Sequence, residues 1–192
     1  MILIPGVFLS IITFPGVIVH ELAHQFFCFL RRVPVYEVRY FRFKNPLGYV
    51  LHEPTDNPLS TFVISVGPFI ANTLLGALIV FPVSIEMSEF GVWNWIRRGS
   101  VGFADIVPFL PTLGVYWLGI SILMHAFPST GDAKALVSDI LKNKNVSLLA
   151  RVLVAPVVGL IYVGAVGSIV WLDLGYALLV SSMLPKVIGL FL

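Results

Sequence analysis

The sequence predicts an all-α polytopic membrane protein, with about five transmembrane helices and a short cytoplasmic β-hairpin after the first. Three observations carry that prediction. Of 192 residues, 58% are hydrophobic and only 11% charged, where soluble domains run near 25% charged. The apolar residues gather into runs close to the roughly 20 needed to cross a bilayer. The basic residues gather in alternate connections between those runs. The net charge of +2 is small and dispersed, which argues against a nucleic-acid partner. A single cysteine, Cys28, excludes an intramolecular disulfide and reads as a small buried hydrophobe.

Taken in order, the first run covers about 3–30 and is long enough to tilt or to break near Pro15. It lacks a basic leader and is interrupted by Pro15, His20 and Glu21, so it reads as a retained helix rather than a signal peptide. The second run, about 59–82, lies between Asp56 and Glu86. The third, about 106–127, lies between Asp105 and Asp132, with Pro108 and Pro111 bending its start. The fourth and fifth, about 148–171 and 174–191, are separated by a turn at Asp173 and Gly175. Pro185 and Lys186 interrupt the fifth, where Lys186 could snorkel to an interface.

The first connection carries Arg31, Arg32, Arg39, Arg42 and Lys44, and the third carries Lys134, Lys142, Lys144 and Arg151. The positive-inside rule then puts both in the cytoplasm, the N-terminus outside and the C-terminus, with Lys186, inside. Val33 to Phe43 and Leu47 to His52, around the turn Lys44-Asn45-Pro46, read as the hairpin, lying against the cytoplasmic surface. Ala133, Leu136, Val137, Ile140 and Leu141 recur at helical spacing and read as a short interfacial helix. Trp93, Trp95, Arg97 and Arg98 read as an anchor at the outer interface. The whole chain, 1–192, reads as one transmembrane domain, with a core of about 1–145 and additional helices over about 146–192.

The chemistry concentrates in Val19-His20-Glu21-Leu22-Ala23-His24. From Met1 to Leu30, Glu21 is the one residue formally charged at neutral pH. Histidines four apart share a helix face and can bind one zinc ion, with the intervening glutamate placed as general base toward water. An ionisable residue at a membrane-helix centre costs roughly 2.5–3.5 kcal/mol on insertion scales, so such a residue reads as functional. Catalytic zinc usually takes three protein ligands. Asp132, His125, His52 and Asp56 are the candidates for the third. Asp132 is preferred, because Pro128 and Gly131 end the preceding helix and re-aim the chain there. Depth agrees: His24 lies about seven residues, or roughly 10 Å, above the cytoplasmic end of span one. Gly67 and Asp132 fall in the same layer.

Together these segments resemble the site-2 protease family of intramembrane zinc metalloproteases. The resemblance rests on His20-Glu21-Leu22-Ala23-His24, on Val66-Gly67-Pro68-Phe69-Ile70-Ala71-Asn72, and on Pro128 followed by Asp132. It covers spans one to three and the hairpin, about two-thirds of the chain, and describes a minimal core without a PDZ or CBS appendage. The third segment departs from the family pattern: His125 stands for an asparagine, the Pro-to-Asp spacing is one shorter, and Ala133 follows Asp132. Asn72 falls five residues after Gly67, where the family has four. The resemblance implies zinc held by His20, His24 and Asp132, Glu21 as catalytic base, and Asn72 with Gly67 at the substrate. The implied partners are the lipid bilayer and a membrane-embedded peptide or protein, cut near the cytoplasmic face. Gly67 and Asn72 also read as a helix-packing device. A catalytically silent adaptor that binds metal and transmembrane partners is the alternative function. A small transporter ranks lowest, because no inverted repeat is visible.

Overall fold

A computed structural model describes residues 6–89 and 107–188. The predicted outer anchor, Trp93 to Arg98, lies outside the described residues. The fold is mostly helical. The helices are α1 (Gly6–Ile12), α2 (Phe14–Leu30), α3 (Pro58–Glu89), α4 (Leu110–Met124), α5 (Thr130–Leu136), α6 (Leu148–Gly167) and α7 (Leu172–Ile188). Strands β1 (Val35–Arg39) and β2 (Tyr49–His52) pair antiparallel. Short tight turns precede α4 and α7, and a π-helical segment, Val137–Leu141, extends α5.

Three helical stretches are long and apolar enough to cross a membrane: Pro58–Met87, Val107–Met124 and Leu148–Gly167. The motif helix, Phe14–Leu30, is apolar but shorter. The bundle is built inside out for water and right side out for lipid. Phe29, Leu78, Leu149, Leu153 and Val163 are exposed, while Thr13, Ser60, Ser65, Asn72, Ser121 and Ser181 are buried. Lipid removes the hydrophobic drive between helices, so buried polar groups and close backbone approach hold such a bundle together.

The first run breaks at Thr13, two residues before Pro15, as its proline foretold. A continuous helix would push the Pro15 ring against the Ile11 carbonyl and leave a bond unmade. The Thr13 hydroxyl instead donates to the Leu9 carbonyl at 2.8 Å. Ser121 stitches the break to α4: it accepts from the Gly16 N–H at 3.0 Å and donates to the Thr13 carbonyl at 2.7 Å.

The hairpin forms where expected but is laid along α2. Gly48 sits against Glu21, the Tyr40 hydroxyl donates to Gln25, and the Phe41 ring lies 5.7 Å from that of Phe14. Phe41 packs on the helix there, while Phe43 at the tip stays exposed. Val35 pairs with His52 and Arg39 with Tyr49.

The segment read as an interfacial helix forms with its apolar stripe turned to protein and Lys134 and Ser138 exposed. Ala133, Leu136 and Ile140 pack with Val66 of α3 and with Val158 and Ile161 of α6, because its apolar stripe fits both helices. The last two runs do not form an up-and-down pair. The Tyr176 hydroxyl hydrogen-bonds Thr73 at 2.8 Å and Ser181 hydrogen-bonds Tyr116 at 2.7 Å. Lys186 then shares a cavity with Ser84 and Met87. Helix α7 therefore runs parallel to α3, and its end lies beside the end of α3 remote from the hairpin. Lys186 therefore lies away from the hairpin, where the charge count had put it on the same side.

Candidate metal centre

His20 and His24 lie one turn apart on the buried face of α2, and their ring centroids are 4.8 Å apart. Asp132 comes from the first turn of α5, and its Oδ2 lies 3.5 Å from His24 Nε2. One ligand atom from each of His20, His24 and Asp132 falls within 4.8 Å of the others. Two imidazoles and a carboxylate converging so closely fit a divalent transition metal, and zinc accepts this donor set with a fourth position left open.

Neighbouring groups orient each of these side chains. The Nδ1–H of His20 donates to the His125 carbonyl at 2.7 Å. This leaves Nε2 with its lone pair for a metal. The His125 carbonyl is free because α4 ends at Met124 and the chain turns. His24 has a backbone hydrogen bond with Ile64. Asp132 sits in a capping box. Ser129 is the N-cap of α5, its Oγ accepts from the Asp132 N–H at 3.2 Å, and its own N–H and hydroxyl donate to Asp132 Oδ2 at 3.0 and 2.6 Å. The same serine caps the helix and fixes the carboxylate. Ser129-x-x-Asp132 was readable from the sequence as a capping box.

The other third-ligand candidates fall elsewhere. His125 contributes its carbonyl to the cluster, while its ring Nδ1 hydrogen-bonds the Ser121 carbonyl at 3.0 Å. His52 lies in β2 with Nδ1 at 2.9 Å from the Glu53 carbonyl. With Asp56 it lines a polar cavity of about 860 Å³ that reaches Asp132 from the hairpin side.

Asn72 is fully buried. Its amide N–H₂ donates to the His125 carbonyl at 2.9 Å, with the Ile122 and Gly16 carbonyls at 3.4 and 3.5 Å. Three acceptors around one nitrogen decide the orientation of the amide. Asn72 thus grips the carbonyl that orients His20, and it stands behind the cluster. Gly67 meets no cavity: a Cβ there would lie 2.2 Å from the Phe27 ring, so its lack of a side chain lets α2 and α3 close together.

Glu21 is buried beside the histidines, and its Oε1 and Cγ lie under Gly48, where a Cβ would come within 3.0 and 2.7 Å. Both Glu21 and His20 line a second cavity of about 360 Å³, walled by the hairpin loop, the α4–α5 turn and the α6–α7 turn. Gly48, Ser121, Ser129 and Gly16 were not singled out from sequence. Gly48, Ser121 and Gly16 act through contacts distant in the chain, whereas Ser129 acts through the local capping box. Comparison with family models, with curated proteins and with solved structures gives no match.

Proposed function

We propose that this chain is an intramembrane zinc metalloendopeptidase that hydrolyses peptide bonds of membrane-embedded substrates, working near the cytoplasmic face with its N-terminus outside. The observation that carries the reading is His20, His24 and Asp132 converging within 4.8 Å. Glu21 stands in the same cavity wall, inside a bundle whose outer surface is apolar. Buried ionisable groups on membrane helices are expensive and mark functional sites.

Zinc, when bound, supplies a Lewis acid that activates water and polarises a carbonyl. The remaining work falls to the chain's own groups. The His125 carbonyl and Ser129 hold His20 and Asp132 in their ligating orientations. Glu21 takes the proton of the attacking water and delivers it to the amine nitrogen as the C–N bond breaks. The polar cavity on the far side of Asp132 offers water a route that the lipid-facing surface does not. A helical substrate must unwind first, and the free edges of β1 and β2 can pair with the extended segment.

The test is metal content per chain of detergent-purified protein, followed by cleavage of a single-span peptide. About one zinc in the wild type, lost in His20→Ala and Asp132→Ala, supports the ligand set. Cleavage lost in Glu21→Gln with zinc kept supports hydrolysis. Zinc binding with no cleavage by wild type favours the silent adaptor instead.

A further inference from the structure

Asp173 reads in the sequence as part of a polar turn between two spans, and the fold puts it elsewhere. Three residues on, Tyr176 hydrogen-bonds Thr73, midway along α3, and its ring lies 5.0 Å from that of Phe127. Asp173 is therefore level with the metal cluster, and it lines the cavity of about 360 Å³ that His20 and Glu21 also line. Its hydrogen bond comes from the adjacent Leu174 N–H, at 2.9 Å to Oδ1. Neither ion pair among the described residues includes it. Among the described residues no lysine or arginine lines the cavity; its other ionisable walls are Glu21, His20 and His125.

A carboxylate in the first turn of a helix gains from the helix dipole. That gain is as large at any exposed turn, so it does not account for a half-buried carboxylate placed in the wall of the cavity that His20 and Glu21 line. A carboxylate partly withdrawn from water gains from a cation, and the described residues supply none to this cavity.

We propose that Asp173 is a specificity-determining residue that receives a lysine or arginine side chain of the bound peptide, in the cavity it shares with Glu21. This rests on the peptidase reading for the identity of the ligand. The cavity is near the lower end of the volume usual for ligand sites, enough for one long side chain and a stretch of extended backbone.

The experiment uses the full chain in detergent and a fluorescent Leu/Ala single-span peptide carrying one central Lys, Leu or Glu. Binding is measured to the metal-free protein and cleavage with zinc added. Wild type should bind the Lys peptide at least tenfold more tightly than the Leu peptide. The ratio should fall to near one in Asp173→Asn, persist in Asp173→Glu, and turn toward the Glu peptide in Asp173→Lys. A Lys-to-Leu ratio near one in wild type, or one unchanged in Asp173→Asn, overturns the proposal. Cleavage without regard to Lys does so too, and leaves the peptidase reading standing. Asp173-dependent binding of the Lys peptide with no cleavage keeps the subsite and sinks the peptidase. A melting curve confirms that each variant is folded, and Asp173→Glu keeps the test open should Asp173→Asn not fold.

Discussion

Asn72→Leu separates two roles that one residue has been given. If Asn72 touches substrate, its loss harms peptide binding and spares the metal. The geometry argues the opposite. Its amide donates to the His125 carbonyl at 2.9 Å, and that carbonyl accepts the His20 Nδ1–H at 2.7 Å. Leucine has similar bulk and no donor. It removes one good hydrogen bond and two long ones from a site with no access to water. A net hydrogen bond contributes about 0.5–1.5 kcal/mol, and a buried acceptor left short of partners costs about 1–3. We expect stability to fall by about 1–3 kcal/mol, well short of unfolding. Partners that orient a metal-ligating histidine are typically worth 10–100-fold in metal affinity, so zinc binding should weaken by about that factor. Competition against a chromophoric chelator, with a melting curve on the same sample, reads both quantities. Zinc affinity within threefold of wild type in a folded Asn72→Leu protein would refute the positioning role and return Asn72 to the substrate. Asn72→Asp adds a check of sign, since an ionised carboxylate facing three carbonyl oxygens has no proton to donate and should weaken zinc at least as much.

Further outcomes follow from the same geometry. Ser129→Ala removes the N-cap of α5 and the hydroxyl donor to Asp132. The backbone N–H donor survives the substitution, so zinc affinity should fall about tenfold and stability by about 0.5–2 kcal/mol, both read in the chelator and melting assays. Gly67→Ala drives a methyl into the Phe27 ring and should cost about 1–3 kcal/mol. Phe27→Ala should relieve most of it in the double variant, as a thermal-melt cycle would show. Gly16→Ala places its Cβ 1.9 Å from the Ser121 carbonyl oxygen. No side-chain change can relieve a clash with backbone, so this variant should fail to accumulate in membranes. His52→Ala and Asp56→Asn should leave zinc per chain unaltered, because both residues sit in the polar cavity away from the cluster.

The parts of the site that were legible are those whose signal is local. His20 and His24 share a face because any helix repeats in 3.6 residues, and no tertiary fact was needed. Asp132 was readable from the proline and glycine before it, which stop a helix and re-aim the chain. Membrane character was readable from composition, and the hairpin from its β-branched and aromatic residues. The failures share one cause. Charge counting assigned the last helix its direction, whereas Phe69, Phe127 and Tyr176 pack together at one level, and no periodicity within the last run encodes that triad. The apolar stripe Ala133, Leu136, Ile140 was read correctly as a stripe, but a stripe does not say whether it meets lipid or two protein helices. Asn72 was noticed for a resemblance, and its contacts with the Gly16, Ile122 and His125 carbonyls were not legible in the sequence.

Why the site sits where it does follows from where the helices break. The first run breaks at Thr13, the third between His125 and Ser129, and the last two meet at Ser168–Val170 and Trp171, whose φ of 63° turns the chain in the left-handed region. An intact helix spends every carbonyl on its own N–H groups and offers an apolar cylinder to its neighbours. A broken one leaves polar backbone that lipid cannot satisfy, tolerable only where protein or a cavity surrounds it. Here the free His125 carbonyl is taken by His20 and Asn72, the opened turn at Ser129 by Asp132, and the break at Thr13 by Ser121. The α6–α7 turn closes the cavity with Asp173. The prolines and polar residues that make these runs poor continuous spans are therefore the same residues that let a cluster able to hold a metal exist inside an apolar bundle. Straightening the third run, by replacing Pro128 and Ser129 with leucines, should yield a better membrane helix and a chain that no longer binds zinc.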